Sequence, residues 1–263
     1  MANSDRAKMR TLRLLEVVQH APGLKSLYFE QPFEAQPGQF VNLWIPGVDE
    51  KPFSVSNLAG GRMEISIKAY GAFSTRLIES KPGDWLGVRG PFGKGFRLEP
   101  DGLLVAGGIG LAPIRFLSKR LEAAGLAHRT VIGLRSKDDL IFPAEYAGAA
   151  LMSEDGSVGG KGLVTVRVEE LIAERRPSVV YGAGPEKMLL AVRDLADRFE
   201  VPYQLSFERY VKCGFGLCGQ CCLDGEGLRV CCEGPVFTRE ELAKITELGK
   251  PHRTASGRRP EAL

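Results

Sequence analysis

The chain has 263 residues, of which 44% are hydrophobic and 25% charged, and a formal net charge of +3. This suits a globular protein of one large domain, or two domains and a module, and the charge is too small to argue for nucleic acid or a membrane surface as partner. No apolar run approaches the ~20 residues that span a bilayer, and the start, Met1-Ala-Asn-Ser-Asp-Arg-Ala-Lys8, lacks the apolar stretch of a secretory signal, so a cytoplasmic location is expected.

Residues 10 to 95 read as β-rich. Strand patterning is carried by Leu12-Arg-Leu-Leu-Glu-Val-Val18, Leu27-Tyr-Phe29, Phe40 to Ile45 and Met63 to Ala69. Pro/Gly pairs punctuate them, and short strands at this spacing predict a barrel. One short helix is expected around Ser74 to Ser80. From about residue 100 the pattern changes to strand and helix in alternation. Leu103 to Ala106, Thr130 to Leu134 and Ser178 to Tyr181 read as strands, with helices near Ala112–Ala124, Val166–Ala173 and Pro185–Phe199. That alternation implies a parallel sheet covered on both faces.

Four segments carry candidate chemistry. Ala106-Gly-Gly-Ile-Gly110-Leu-Ala-Pro113 joins a strand to a helix, where backbone N–H groups and the helix dipole can meet a pyrophosphate. Tight helix–strand packing would also explain its glycines. Val179-Val-Tyr-Gly-Ala-Gly184-Pro185 repeats the arrangement, and two such turns on one sheet favour a dinucleotide site over two packed turns. Lys51-Pro52-Phe53-Ser54 offers a cation for phosphate and an aromatic for stacking, although an edge strand would read the same way. Gly71-Ala-Phe-Ser74-Thr75 offers hydroxyls that cap a short helix or hold phosphate. His20, His128 and His252 form no motif and read as structural or solvated.

The most informative segment is Cys213-Gly-Phe-Gly-Leu-Cys218-Gly-Gln-Cys221, with Cys231 a short hairpin later. C-x4-C-x2-C is the plant-ferredoxin spacing for a [2Fe–2S] cluster, and Gly214, Gly216 and Gly219 let the loop wrap closely. Zinc more often takes paired C-x2-C knuckles. A disulfide framework suits a small secreted domain better than this chain, whose six cysteines all lie between 213 and 232.

In this order the motifs resemble the ferredoxin-reductase family of flavoproteins. With Arg229-Val-Cys231-Cys-Glu-Gly-Pro-Val-Phe237 appended, residues 10 to 240 resemble the electron-transfer subunits of NAD-dependent dihydroorotate dehydrogenase. The resemblance implies a β-barrel FAD domain over 1–98, an α/β parallel-sheet NAD domain over 99–203, a [2Fe–2S] module over 204–248 and a flexible tail over 249–263. It implies FAD held by Lys51, Pro52, Phe53, Ser54, Gly71, Ser74 and Thr75, with NAD held by Gly108, Gly110, Gly184 and Pro185. The cluster ligands would be Cys213, Cys218, Cys221 and Cys231, leaving Cys222 and Cys232 as buried bystanders. Departures from the family pattern are Lys51 for the usual Arg, Ala183 for a Cys and Glu233 for an Asp.

The implied function is passage of electrons from an FMN-containing dihydroorotate-oxidising subunit through the cluster and FAD to NAD+, in pyrimidine biosynthesis, within a heterotetramer. Flavin subunits of cytoplasmic sulfhydrogenases and of NADH-dependent ferredoxin–NADP oxidoreductase share these modules, and a zinc scaffold without redox chemistry is the reading of another class. Arg135-Ser-Lys137 stands where a 2′-phosphate would lie, but Asp138 and Asp139 follow, and NAD is favoured.

Overall fold

A computed structural model describes residues 3–254 and 256–258. After a short helix α1 (Asn3–Ala7), seven strands form one antiparallel sheet: β1 (Arg10–Ala21), β2 (Leu24–Glu30), β3 (Phe40–Ile45), β4 (Asp49–Ser54), β5 (Asn57–Ala59), β6 (Arg62–Lys68) and β7 (Trp85–Phe92). Their order is β4-β3-β7-β1-β2-β6-β5. The sheet curls around a core that includes Leu27, Phe29, Val41, Met63 and Ile65. α2 (Ala72–Ile78) covers one end, burying Phe73 and Leu77.

The second sheet begins with β8 (Gly102–Gly107), followed by α3 (Leu111–Ala123), β9 (His128–Leu134), β10 (Ala150–Ser153) and β11 (Gly160–Lys161). Then come α4 (Val164–Glu174), β12 (Val179–Ala183), α5 (Glu186–Arg198) and β13 (Tyr203–Ser206). β14 (Val236–Thr238) and α6 (Arg239–Leu242) follow the cysteine loop. The order is β11-β10-β9-β8-β12-β13-β14. All pairs are parallel except β13–β14. Every residue of β8 and β12 is buried, which is why both read as unbroken apolar runs.

The expected fold class is therefore observed, with three local differences. Trp85–Phe92 is a strand although Gly87, Gly90 and Pro91 interrupt its pattern; it lies between β1 and β3, and a Cβ at Gly87 would meet Trp44 and Met9. The boundary at 204 falls inside β13, which pairs with β12, and β14 returns from the cysteine segment to pair with β13. Finally, the described part of the tail makes contacts with the body of the protein: Gly249 N–H and His252 Nε2 reach Glu186 at 2.7 and 2.9 Å, and Arg253 reaches Asp224 at 2.6 Å. Residues 259–263 lie outside the described residues.

Candidate functional site at the sheet switch point

The sheet order reverses between β8 and β12, and ligands of open α/β sheets bind beyond the carboxyl ends of the strands at such a point. Both glycine turns lie there. A first cavity of about 540 Å³ runs from β4 and α2 of the barrel to these turns and to the segment after β13. A second, of about 580 Å³, extends from the same turns along α4 and α5. Ile109, Gly110, Gly184, Phe207 and Glu208 line both.

The glycines of these turns differ in what requires them. A Cβ on Gly110 would lie 2.3 Å from the carbonyl oxygen of Ala183, so this glycine is required by packing. A Cβ on Gly108 would meet nothing within 4 Å, but its φ of +52° is the left-handed region, and its face is open to the second cavity.

Lys51, Pro52, Phe53, Ser54, Gly71 and Ser74 line the first cavity. Lys51 is not a free cation: it pairs with Asp49 and donates to the Tyr210 hydroxyl at 2.9 Å. Phe53 stacks against Phe73, with ring centres 6.1 Å apart. Gly71, not Ser74, is the N-cap of α2; Ser74 sits a turn further on and its Oγ accepts from the Tyr70 and Gly71 amides at 2.9 and 3.1 Å. Thr75 lines neither cavity, because one further step around the helix turns it to solvent. Gly108, Gly110, Gly184 and Pro185 all line the second cavity.

Around the second cavity the weighed charges separate. Arg135 lines it and Lys137 does not. Asp139 also lines it, but is paired with Lys68 of the barrel. Glu208 went unnoticed in the sequence because it belongs to no motif. It is exposed and borders both cavities. Desolvation by the protein packed around its carboxyl raises its pKa, against a smaller lowering by His252.

The cysteine loop packs against the barrel, with Arg89 Nη1 donating to the Cys213 carbonyl at 3.1 Å and Asn42 Nδ2 to the Lys212 carbonyl at 3.2 Å. Gly214, Gly216 and Gly219 have φ of +85°, +84° and +68°. A Cβ on Gly214 would press on Phe92, and one on Gly216 on the Cys232 sulfur. Cys218 N–H points at Cys213 Sγ from 3.5 Å. Burial opposes ionisation of Cys213, but the amides of Cys218, Phe215 and Leu217 turned towards it bring its pKa down to about 7. The Cys231 thiol donates to Cys221, which lowers Cys221 to about 7 despite burial and raises Cys231. Thiolates are the form that binds metal. Between Cys221 and Cys231 the chain makes the expected hairpin, closed by Leu223 N–H to the Leu228 carbonyl at 2.7 Å. Cys222 and Cys232 are half-exposed rather than buried. Cys218 is exposed, beside Leu217 at 80% exposure, while Cys221 and Cys231 are each 2% exposed.

Among the described residues no three of these side chains are grouped closely enough to hold a metal ion; it is the chemistry of the four thiols and the glycine-wrapped loop that suits an iron–sulfur cluster, and the two cavities share lining residues at the glycine turns. The family described as the iron–sulfur cluster binding domain of dihydroorotate dehydrogenase B matches residues 208–243. A probable dihydroorotate dehydrogenase B (NAD+) electron transfer subunit from Methanocaldococcus jannaschii is 41% identical over 253 residues, covering 94% of this chain and 96% of that one. Its namesake from Methanothermobacter thermautotrophicus is 42% identical over 257 residues, with the same coverage. Among solved structures, an NADH-dependent reduced ferredoxin–NADP oxidoreductase superposes with a TM-score of 0.80 at 31% identity over 88% of each chain. A ferredoxin NADP+ reductase from Neisseria gonorrhoeae shares the fold, with a TM-score of 0.61 at 16% identity over 73% of this chain and 92% of that one.

Fold and site together define a flavin- and nicotinamide-dependent oxidoreductase of the ferredoxin-reductase type, extended by an iron–sulfur domain. Within that class, the chain belongs to the family of dihydroorotate dehydrogenase B (NAD+) electron transfer subunits.

Proposed function

We propose that the chain carries electrons from a dihydroorotate-oxidising, FMN-containing subunit to NAD+. The observation that carries this is the shared wall of the sites: Val230, next to Cys231, and Val211, two residues before Cys213, line the first cavity. When bound, a [2Fe–2S] cluster passes single electrons and FAD gathers them in pairs for the hydride that nicotinamide accepts.

The residues have distinct tasks in this reading. Cys213, Cys218, Cys221 and Cys231 hold the cluster, with the loop amides stabilising thiolate charge. Phe53, Ser54 and Gly71 hold the flavin, with Ser74 fixing the turn. Gly108, Gly110, Gly184 and Pro185 shape the nicotinamide pocket. Lys51, tied to Tyr210, braces β4 against the cysteine segment. The exposed edge formed by Leu217 and Cys218 faces the partner, in an assembly of two copies of each subunit. No helix among the described residues is long and apolar enough to cross a membrane, and a cytoplasmic location accords with the clustered free thiols.

Co-purification tests the reading. An FMN-containing subunit that, with this chain, reduces NAD+ at the expense of dihydroorotate supports it. The 31% identity to the ferredoxin–NADP oxidoreductase favours one rival: recovery of a second flavin subunit that exchanges electrons with ferredoxin would establish that rival instead.

A further inference from the structure

Electrons leave an iron–sulfur cluster without protons, but nicotinamide leaves with a hydride. The balance is NAD+ + 2 e⁻ + H⁺ → NADH, so one proton per turnover must reach the flavin cavity by another route. The electrons are those supplied by the partner in the proposed function, on which this inference rests.

The barrel contains a hydrogen-bonded chain that leads to that cavity. Ser66 on β6 lines the cavity and is 4% exposed. Ser26 on β2 is its cross-strand partner, and the hydroxyls lie 2.8 Å apart. Ser26 Oγ lies 3.0 Å from Nε2 of His20 on β1, which is part-exposed and packs edge-on against Phe142. Both hydroxyls also have Glu64 Oε1 at 3.2 Å. Each hydroxyl has one proton and more than one acceptor in reach, so its proton can turn from one neighbour to the next. Glu64 is held by Arg115 Nη1 at 2.6 Å, and Arg115 in turn by Glu145 at 2.7 Å. Tyr28 also faces Glu64.

We propose that His20, Ser26 and Ser66 form a proton relay from the barrel surface to the flavin cavity, with the Glu64–Arg115 pair fixing the two hydroxyls. The imidazole takes a proton from water at one nitrogen and releases one at the other. Ser26 and Ser66 each accept one proton and pass one on, so the chain is restored without net charge on either serine. Burial lowers the His20 pKa, although Glu64 opposes this, which favours the neutral ring that can both accept and donate.

Flavin-loaded protein, its loading fixed by visible absorption, is photoreduced in weakly buffered solution with a pH indicator. Proton uptake is compared with hydride transfer from NADH, which brings its own hydrogen. In Ser26→Ala, His20→Gln and Ser66→Ala the ratio of proton uptake to hydride transfer should fall on the order of tenfold or more, and Ser66→Thr should restore it. An unchanged ratio in flavin-loaded variants overturns the relay, as does equal slowing of both steps, which would mark a structural role. Wild-type protein that takes up no flavin overturns the functional reading instead. Should Ser66→Ala not fold, His20→Gln at the part-exposed end decides the matter alone.

Discussion

Gly110 stands so close to Ala183 that a side chain on the first would occupy the carbonyl oxygen of the second, 2.3 Å from the Cβ position. The two turns that line the second cavity therefore touch backbone to backbone. Gly110→Ala should cost about 1–3 kcal/mol through overpacking and weaken NADH binding together with stability. Gly108→Ala has room but a strained φ, and should cost about 1–2 kcal/mol. Urea unfolding and nucleotide titration of both variants check the pair.

Cys218→Ser should abolish the cluster while FAD stays bound. Iron content and the dithionite-bleachable absorbance should vanish, electron exchange with the partner should stop, and NADH oxidation by a dye at the flavin should largely survive. Cys232→Ser, at the half-exposed thiol outside the proposed ligand set, should keep its iron.

Arg115 and Glu64 join the nucleotide domain to the barrel with side chains 6% and 2% exposed. Arg115→Met leaves a buried carboxylate unpaired and should destabilise the protein by about 3–5 kcal/mol. Adding Glu64→Leu should recover part of this, since the orphaned charge is gone. Denaturant titration of single and double variants measures the coupling.

Glu208 is exposed, yet desolvation by the protein packed around its carboxyl raises its pKa above the ordinary 4.5. Its neutral form is the one the fold favours, so its contribution is fully present below that ordinary value and is lost as pH rises through the native one. Glu208→Gln should therefore be no more stable than wild type at the acid end, and gain on it as pH increases. Glu186, whose carboxyl pKa is lowered by the Gly249 amide and Arg209 against burial, behaves oppositely: Glu186→Gln should lose most at neutral pH and least in acid. Thermal melts across pH separate the two signs.

Arg135 lines the second cavity, where the proposed function seats the nucleotide, while Asp139 is occupied by Lys68. Arg135→Asp should lower kcat/KM for NADPH by about tenfold, the equivalent of 1.4 kcal/mol, and change that for NADH much less. Dye-linked assays with both nucleotides read the ratio.

The parts legible in the sequence are those written in local pattern. Leu103 to Ala106 and Val179 to Tyr181 announced the buried strands, the glycine turns announced the switch point, and the cysteine spacing announced the cluster. What the sequence concealed depends on partners distant along the chain. Nothing near Lys51 says that Tyr210 binds it, and nothing near Ser26 says that Ser66 lies opposite across forty residues. Trp85–Phe92 was masked by Gly87, which admits Trp44 and Met9, and by Gly90, which lies against Phe40 and Val41. Glu208 was silent because its meaning lies in the two cavities it borders.

The return of Val236–Thr238 to the edge of the sheet has a consequence for anyone who would dissect the chain. β14 covers the outer side of β13, an element of the nucleotide domain. Excising residues 208–243, the matched iron–sulfur domain, would therefore also strip a neighbour from Tyr203–Ser206. The remainder would carry an unpaired, fully buried-type strand at its rim, the kind of edge that recruits other chains. A soluble flavin reductase cut from this protein needs Val236–Thr238 retained on a short linker, or a charged residue placed on β13 in its stead.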